Sequence, residues 1–210
     1  MFITGGKMDK LSQALLSKLR EKALSRSDFR NYTNQLALCL AHKAAELLNP
    51  ESVRITTPLG QATGIAFKKP IMLVPILRSG ITLLPAFLTY FPESTVGVVG
   101  MKRDEETSKA DLYYKNIPSF TQDTVIIVLD PMIATGGSAI DTLRLLDKCG
   151  MQQEQTIFVG VIASLEGVAA VQTAFPLVRF IIEQVDEKLN NKKFIVPGLG
   201  DWGDRYFGTE

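Results

Sequence analysis

Residues 128–138 read Val128-Leu129-Asp130-Pro131-Met132-Ile133-Ala134-Thr135-Gly136-Gly137-Ser138. An apolar run, 125–129, ends in an acid, and a small-residue loop, 134–138, follows. A helical pattern with apolar Ile140, Leu143 and Leu146 then runs to Cys149-Gly150. A buried strand therefore feeds a loop, and the loop opens a helix. The first N–H groups of a helix have no intrahelical partner, and its dipole adds partial positive charge there. Gly136 and Gly137 let the backbone wrap a tetrahedral anion, while Thr135 and Ser138 add hydroxyl donors. We read the loop as a phosphate cradle, with Asp130 placed for ribose hydroxyls or metal-bound water. A strand-to-helix turn made of small residues for packing alone is the competing reading. The Asp-Pro pair just ahead of the loop weighs against it. The stretch lacks the Lys of Gly-x4-Gly-Lys-Ser/Thr and the spacing of Gly-x-Gly-x-x-Gly, which excludes a triphosphate P-loop and a dinucleotide fingerprint.

On either side of this stretch, short apolar runs alternate with helical patterns. Runs at 71–77, 96–101, 125–129, 157–163 and 180–182 are nearly continuous, the mark of strands buried on both faces. Helical patterns at 81–90, 139–149 and 167–175 supply crossovers. The expected fold is α/β, a largely parallel central sheet flanked by helices, with ligands at the carboxyl ends of the strands. Two helices precede it. Leu11, Leu15 and Leu19 share one face of the first; the second starts near Ser27-Asp28 and stops at Asn49-Pro50. Segments 53–57 and 62–67 are expected to form a small peripheral hairpin.

The chain has 210 residues, 46% of them hydrophobic, which suits a single domain (1–210) with a full core. Residues 1–8, with Gly5-Gly6, are expected to be a flexible start. A net charge of +1 gives no sign of a nucleic-acid binder. The two cysteines, Cys39 and Cys149, have no metal-ligand spacing, so no protein metal cage is expected. No signal peptide or long apolar run is visible, and the expected setting is a reduced, cytoplasmic one with no membrane contact.

Other candidates are weaker when read by themselves. Arg78 follows the run 71–77 directly; its fork of donors suits pyrophosphate oxygens, and Ser79-Gly80 lets an anion approach the backbone. Residues 102–106 are a charged run, normally a solvated loop; the loop they open extends to Tyr113-Tyr114 and is bounded by Pro118, long enough for a lid. Asp201 and Asp204 lie in a Gly-rich C-terminal segment where Asp commonly forms turns. The single histidine, His42, sits mid-helix and is read as exposed or packing.

Asp130 to Ser138 resembles the phosphoribosyl-pyrophosphate (PRPP) loop of type I phosphoribosyltransferases, and its wording is similar to that of uracil phosphoribosyltransferases in particular. Val74-Pro75-Ile76-Leu77-Arg78-Ser79-Gly80 resembles that family's pyrophosphate loop, and Arg103-Asp104-Glu105-Glu106-Thr107 its mobile arginine loop. Pro197-Gly198-Leu199-Gly200-Asp201-Trp202-Gly203-Asp204 resembles its uracil-binding segment, and Arg205-Tyr206-Phe207-Gly208-Thr209 continues the match. The similarity runs from about Leu19-Arg20 onward.

The resemblance implies a type I phosphoribosyltransferase fold with a C-terminal hood over the base. It implies pyrimidine salvage: transfer of ribose 5-phosphate from PRPP to uracil, giving UMP and pyrophosphate. Arg78, Arg103 and Asp130 become the catalytic set. PRPP is held by these three with Pro131, Met132, Ile133, Ala134, Thr135, Gly136, Gly137, Ser138 and Asp201. Uracil is read by the backbone of Ile195, Gly200 and Trp202, with Asp201 beside it. The Trp202 side chain is expected to point away and pack against the fold, and Asp204 to be structural. The resemblance further implies Mg²⁺ carried through PRPP, pyrophosphate and water, a cis peptide in the Arg78 loop, a homo-oligomer and, as in some members, GTP as an effector. Lys102 stands where the family usually has Tyr, and Ala110 where Pro is common. A transferase for another base is the alternative, disfavoured by the Pro-Gly-Leu-Gly-Asp tail. An RNA-binding regulator on the same fold would need a basic face, and no Lys/Arg cluster stands out.

Overall fold

The computed structural model describes residues 2–4, 10–103 and 110–209. In chain order the elements are β1 (Phe2–Thr4), α1 (Lys10–Arg20), α2 (Arg26–Glu46), β2 (Glu51–Thr57), β3 (Gly60–Ala66), β4 (Ile71–Leu77), α3 (Leu84–Tyr90), β5 (Thr95–Val96), β6 (Val98–Arg103) and β7 (Ala110–Asn116). There follow β8 (Val125–Leu129), β9 (Met132–Ile133), α4 (Gly137–Lys148), β10 (Thr156–Ser164), α5 (Leu165–Ala174), β11 (Arg179–Asp186), β12 (Lys188–Leu189), β13 (Ile195–Val196) and α6 (Trp202–Phe207). A 3-10 turn at Ser79–Thr82 precedes α3.

The main sheet runs β1-β11-β10-β8-β4-β6-β7, with β5 beside β4 and β9 beside β10. Its pairings are parallel except β6 with β7. Every residue of β8 and of β10 is buried, which is why their sequences read as unbroken apolar runs. Successive side chains still serve opposite faces. Leu73, Ile127 and Val159 pack with Leu36, Leu40 and Phe87 from α2 and α3. Met72, Ile126 and Phe158 pack with Leu143, Leu146 and Val171 from α4 and α5.

α2 begins where Ser25 accepts the Asp28 N–H at 3.1 Å, a side-chain N-cap, and ends ahead of Asn49-Pro50. Phe29, Thr33, Leu36, Leu40 and Ala44 form its buried stripe. β11 extends well past the expected 180–182. Its inward Glu183 is polar, and the apolar pattern stops there; Lys43 of α2 pairs with it at 2.6 Å. The hairpin of β2 and β3 stands apart from the sheet, as expected.

Some expectations need correction. Phe2–Thr4, within the expected flexible start, lie instead as an edge strand parallel to β11. Ala110–Asn116, read as part of a long loop reaching Tyr114, form β7 against β6. Leu112, Tyr113 and Tyr114 are exposed, so this edge strand carries no buried stripe that a sequence pattern would show. The connection between β6 and β7 is thereby confined to residues 104–109, which lie outside the described residues.

Ile127, at the centre of β8, is fully buried. Ile127→Ala should lower unfolding free energy by about 2–5 kcal/mol through lost burial and an unfilled cavity. Urea denaturation checks this: the midpoint falls and the slope is unchanged.

Candidate active site

A cleft of about 780 Å³ opens at the carboxyl ends of β4, β6 and β8. Arg78, Asp130, Met132, Ala134, Ser138, Ile195, Gly200, Asp201 and Trp202 all line it. Segments far apart in the chain thus meet at the edge where a parallel sheet presents its loops.

The phosphate loop is built by its surroundings. Gly136 caps α4 at φ +81° and contributes no side-chain cap, leaving the N–H groups of the first turn without the oxygen that a Ser or Asp cap would supply. A Cβ at Gly136 would lie 2.9 Å from the Gly167 carbonyl oxygen, so backbone angle and space both require glycine. Ser164 Oγ donates to the Ala134 carbonyl at 2.5 Å while accepting the Gly167 N–H at 2.9 Å, tying the loop to the start of α5. Gly137 differs: a Cβ there would meet only Thr135 Oγ1, at 3.8 Å, so the space in front of it is open.

Not every residue of the stretch faces that space. Pro131, Ile133, Thr135, Gly136 and Gly137 do not line the cleft, and of these Pro131, Ile133 and Gly136 are buried. The Pro131 carbonyl accepts from the N–H groups of Val161 and Ile162 at 2.9 and 3.0 Å, and the Ile133 side chain belongs to the core under α4 and α5. Both support the loop from behind.

Arg78 is exposed at the end of β4, after a cis Leu77–Arg78 peptide. Its guanidinium lies 5.6 Å from the centre of the Phe207 ring, a cation–π contact linking this loop to α6. The next glycine, Gly80, passes so close to the Leu129 carbonyl that no Cβ fits. A Cβ on Gly203 would sit 3.2 Å from Asp201 Oδ1, 3.6 Å from Ser79 Oγ and 3.8 Å from Arg78 Nη2. Arg78, Ser79 and Asp201 therefore converge beside the start of α6. Arg103 ends β6; its side chain, and residues 104–107 of the expected lid, lie outside the described residues.

The C-terminal segment arches over the opposite wall. β12 and β13 form a short antiparallel hairpin, and a turn with a cis Val196–Pro197 peptide leads to α6. Asp201 caps α6 by accepting the Asp204 N–H at 2.9 Å. Asp204 in turn accepts the Thr209 hydroxyl at 2.7 Å, the structural role expected of it. The Trp202 indole is buried, meets Phe29 edge-on at 5.1 Å and donates Nε1–H to Thr82 Oγ1 at 3.0 Å. The indole packs against Phe29 of α2, and Trp202 also lines the cleft. His42 is exposed in the last turns of α2, beside Tyr90 and not among the residues lining the cleft.

Ser79, part of the expected pyrophosphate loop, also lines the cleft, as do Met101, Tyr113, Lys192, Lys193 and Phe194, which were not singled out from sequence. Tyr113 reads only as the end of a loop. The signal that could have found the lysines is their place just ahead of Ile195. Asp186, at the end of β11, is buried, which favours its neutral form. Two hydrogen bonds from Arg20 and one from the Gly198 N–H outweigh that and hold its carboxyl below the usual carboxylate range.

Among the described residues no three His, Cys, Asp or Glu side chains group into a metal site, and no helix is long and apolar enough to cross a membrane.

The sheet order, the loop opening α4 and the cleft at the strand ends are those of a type I phosphoribosyltransferase. A hypoxanthine phosphoribosyltransferase from Trypanosoma cruzi shares the fold, with a TM-score of 0.50 at 10% identity over 76% of each chain. The uracil phosphoribosyltransferase family model matches residues 8–209, and the chain belongs to that family. It is 43% identical to a uracil phosphoribosyltransferase from Lactococcus lactis subsp. cremoris, over 95% of each chain. It is 41% identical to one from Halalkalibacterium halodurans over the same share. The AQ2163 protein from Aquifex aeolicus superposes with a TM-score of 0.89 at 32% identity, covering 96% of each chain.

Gly137→Val is expected to fold, since its Cβ space is open, yet to fill the room a phosphate would take. Steady-state kinetics should show the PRPP requirement rising far more than the uracil requirement. An unchanged PRPP dependence would remove the phosphate assignment from this loop. The Asp186 carboxylate makes a second prediction. Its folded pKa is depressed, so its pairing stabilises the fold above the unfolded value near 4 and is lost as pH falls through the lower folded value. Asp186→Asn should cost on the order of 3 kcal/mol at pH 7, with the gap to the parent narrowing below about pH 4. Urea unfolding at both pH values measures it.

Proposed function

We propose that this enzyme transfers ribose 5-phosphate from PRPP to N1 of uracil, giving UMP and pyrophosphate, a pyrimidine salvage step. The observation that carries the reading is the single cleft. It brings Ser138 in the first turn of α4, Arg78, and Ile195, Gly200, Asp201 and Trp202 of the C-terminal segment to one place. The loop 134–138 holds the 5-phosphate of PRPP. Asp130, at the end of β8, faces the ribose hydroxyls. Arg78 directs its fork at the pyrophosphate, with Asp201 and Ser79 beside it; Arg103 would add a second cation from the loop after β6.

As the anomeric C–O bond breaks, positive charge builds on the ribose and negative charge on the departing pyrophosphate. The N1–C bond forms, and the N1 proton leaves. No nucleophilic side chain is required, so catalysis is mainly positioning and electrostatic stabilisation. Among the described residues, Asp130 and Asp201 are the acids that line the cleft. That donor set fits Mg²⁺, a hard ion that keeps waters and takes much of its coordination from substrate phosphates. Bound in this way it supplies charge against the leaving pyrophosphate.

Uracil offers two carbonyl acceptors flanking an N3–H donor. Backbone N–H and C=O groups of Ile195, Gly200 and Trp202 match that edge without specialised side chains. Cytosine reverses part of the pattern, leaving polar groups unpaired, which discriminates by roughly 10⁴-fold. By the family resemblance the chain works as a homo-oligomer in the cytoplasm, and GTP is a candidate effector.

Incubation with PRPP, Mg²⁺ and each free base should give nucleotide from uracil alone; a chain that makes no UMP under saturating substrates would contradict the proposal. Arg78→Ala should lower kcat by on the order of 100-fold, the usual cost of one preorganised donor at developing charge. A rate within a few-fold of the parent would exclude Arg78 from the transition state.

A further inference from the structure

Backbone groups can read a base only if the backbone stays still, and residues 197–201 are loop. What holds them comes from the other end of the chain. Arg20, the last residue of α1, sends Nη1–H to Asp186 Oδ2 at 2.9 Å and Nη2–H to Asp186 Oδ1 at 2.7 Å, a fork-on-carboxylate pair. The same Nη1 also donates to the Gly198 carbonyl at 2.8 Å. Asp186 Oδ2 accepts the Gly198 N–H at 2.8 Å. Both polar groups of one glycine are thus held by the two partners of one ion pair. Gly198 sits at φ +59°, pressed against the Ile195 carbonyl, where no Cβ fits. An ion pair formed for stability alone has no need to reach this turn.

A second arginine continues the arrangement. Arg205 Nη1 donates to the carbonyls of Leu19 and, at 2.7 Å, Leu199, while Nη2 donates to the Glu21 carbonyl at 2.7 Å. The carbonyls on both sides of Arg20 are thereby tied through the Arg205 guanidinium to the Leu199 carbonyl of the hood.

We propose that Arg20 and Asp186 are positioning residues for base recognition: by fixing Gly198 they hold the backbone of Ile195, Gly200 and Trp202 in register with the uracil edge. This rests on the assignment of 195–202 to the base. Neither side chain lines the cleft, so the pair acts through the turn. The geometry demands arginine. A lysine at position 20 keeps the charge opposite Asp186 but lacks the planar fork that spans carboxylate and carbonyl together.

The test uses Arg20→Lys in the full chain. The KM for uracil should rise at least about tenfold, the loss expected of misplaced polar contacts, with the KM for PRPP unchanged within about twofold and kcat reduced less than the uracil KM rises. Trp202, the sole tryptophan, lies in the held segment, and its fluorescence should become more open to acrylamide quenching. A uracil KM unchanged in the variant overturns the proposal, as does a parallel change in both KM values and kcat, which marks a general defect. If Arg20→Lys does not fold, Arg20→Gln, which keeps a planar donor toward the Gly198 carbonyl, is read by the same criteria. Amide exchange of the parent chain with and without UMP separates the two levels. Without protection over 195–202 the base assignment fails and the proposal with it. With protection there, and an unchanged uracil KM in the variant, the positioning role alone fails.

Discussion

The start of α4 is the constraint on which the site depends. A parallel strand must return through a helix, and the helix that follows β8 begins at the carboxyl edge of the sheet with donors aimed outward. Three helices cover such donors with side chains, Ser25 for α2, Ser164 for α5 and Asp201 for α6, whereas α3 and α4 have no side-chain cap. α4 begins at a glycine with a positive φ, packed too close to the Gly167 carbonyl for a Cβ, in a loop tied down by the Ser164–Ala134 bond. The local cost of leaving those N–H groups without a side-chain cap becomes affinity for an anion.

The rest of the cleft is assembled around that anchor. Each wall is a segment that leaves the carboxyl end of a neighbouring strand: 78–80 after β4, Asp130 after β8, and the hairpin and turn after β11. Close approaches made possible by missing side chains set their spacing, Gly80 against Leu129 and Gly167 against Ala134. The hood has the least sheet to lean on. It is held by three side-chain contacts: the Arg20–Asp186–Gly198 ring, which ties it to the end of β11, the Arg205 bonds to Leu19 and Leu199, and the Trp202 indole between Phe29 and Thr82. A charged ring, carbonyl acceptors and an aromatic plug thus do for the base wall what strand pairing does for the phosphate wall.

Much of this was legible in the residues. Strands buried on both faces announce themselves, so β4 and β8 were bounded correctly from their apolar runs, and the strand–loop–helix around Asp130 was readable for the same reason. What escaped notice was written in weaker codes. β7 is an exposed edge, so its alternation carries no apolar stripe. β1 is an isolated strand whose pairing is entirely long-range. α6 is a six-residue helix set in a segment whose glycines look like loop, and its Asp cap was visible only as a turn former. In the stretch 130–138 the spacing could not separate residues that face the cleft from Pro131 and Ile133, which face the core, because that division depends on the register of β9 beside β10. Lys192 and Lys193 reach the cleft only because β12 and β13 pair, which no local pattern announces.

The central claim is that the α4 N-terminus binds the phosphate of the nucleotide. Calorimetric titration of the chain with UMP and with uridine, identical in base and sugar, isolates that phosphate. UMP should bind at least about 100-fold more tightly, the scale of several charge-assisted hydrogen bonds. The UMP advantage should survive mutation of Arg78, which serves the pyrophosphate, and vanish when Gly137 is replaced by a bulky residue. Equal affinity for UMP and uridine would contradict the account.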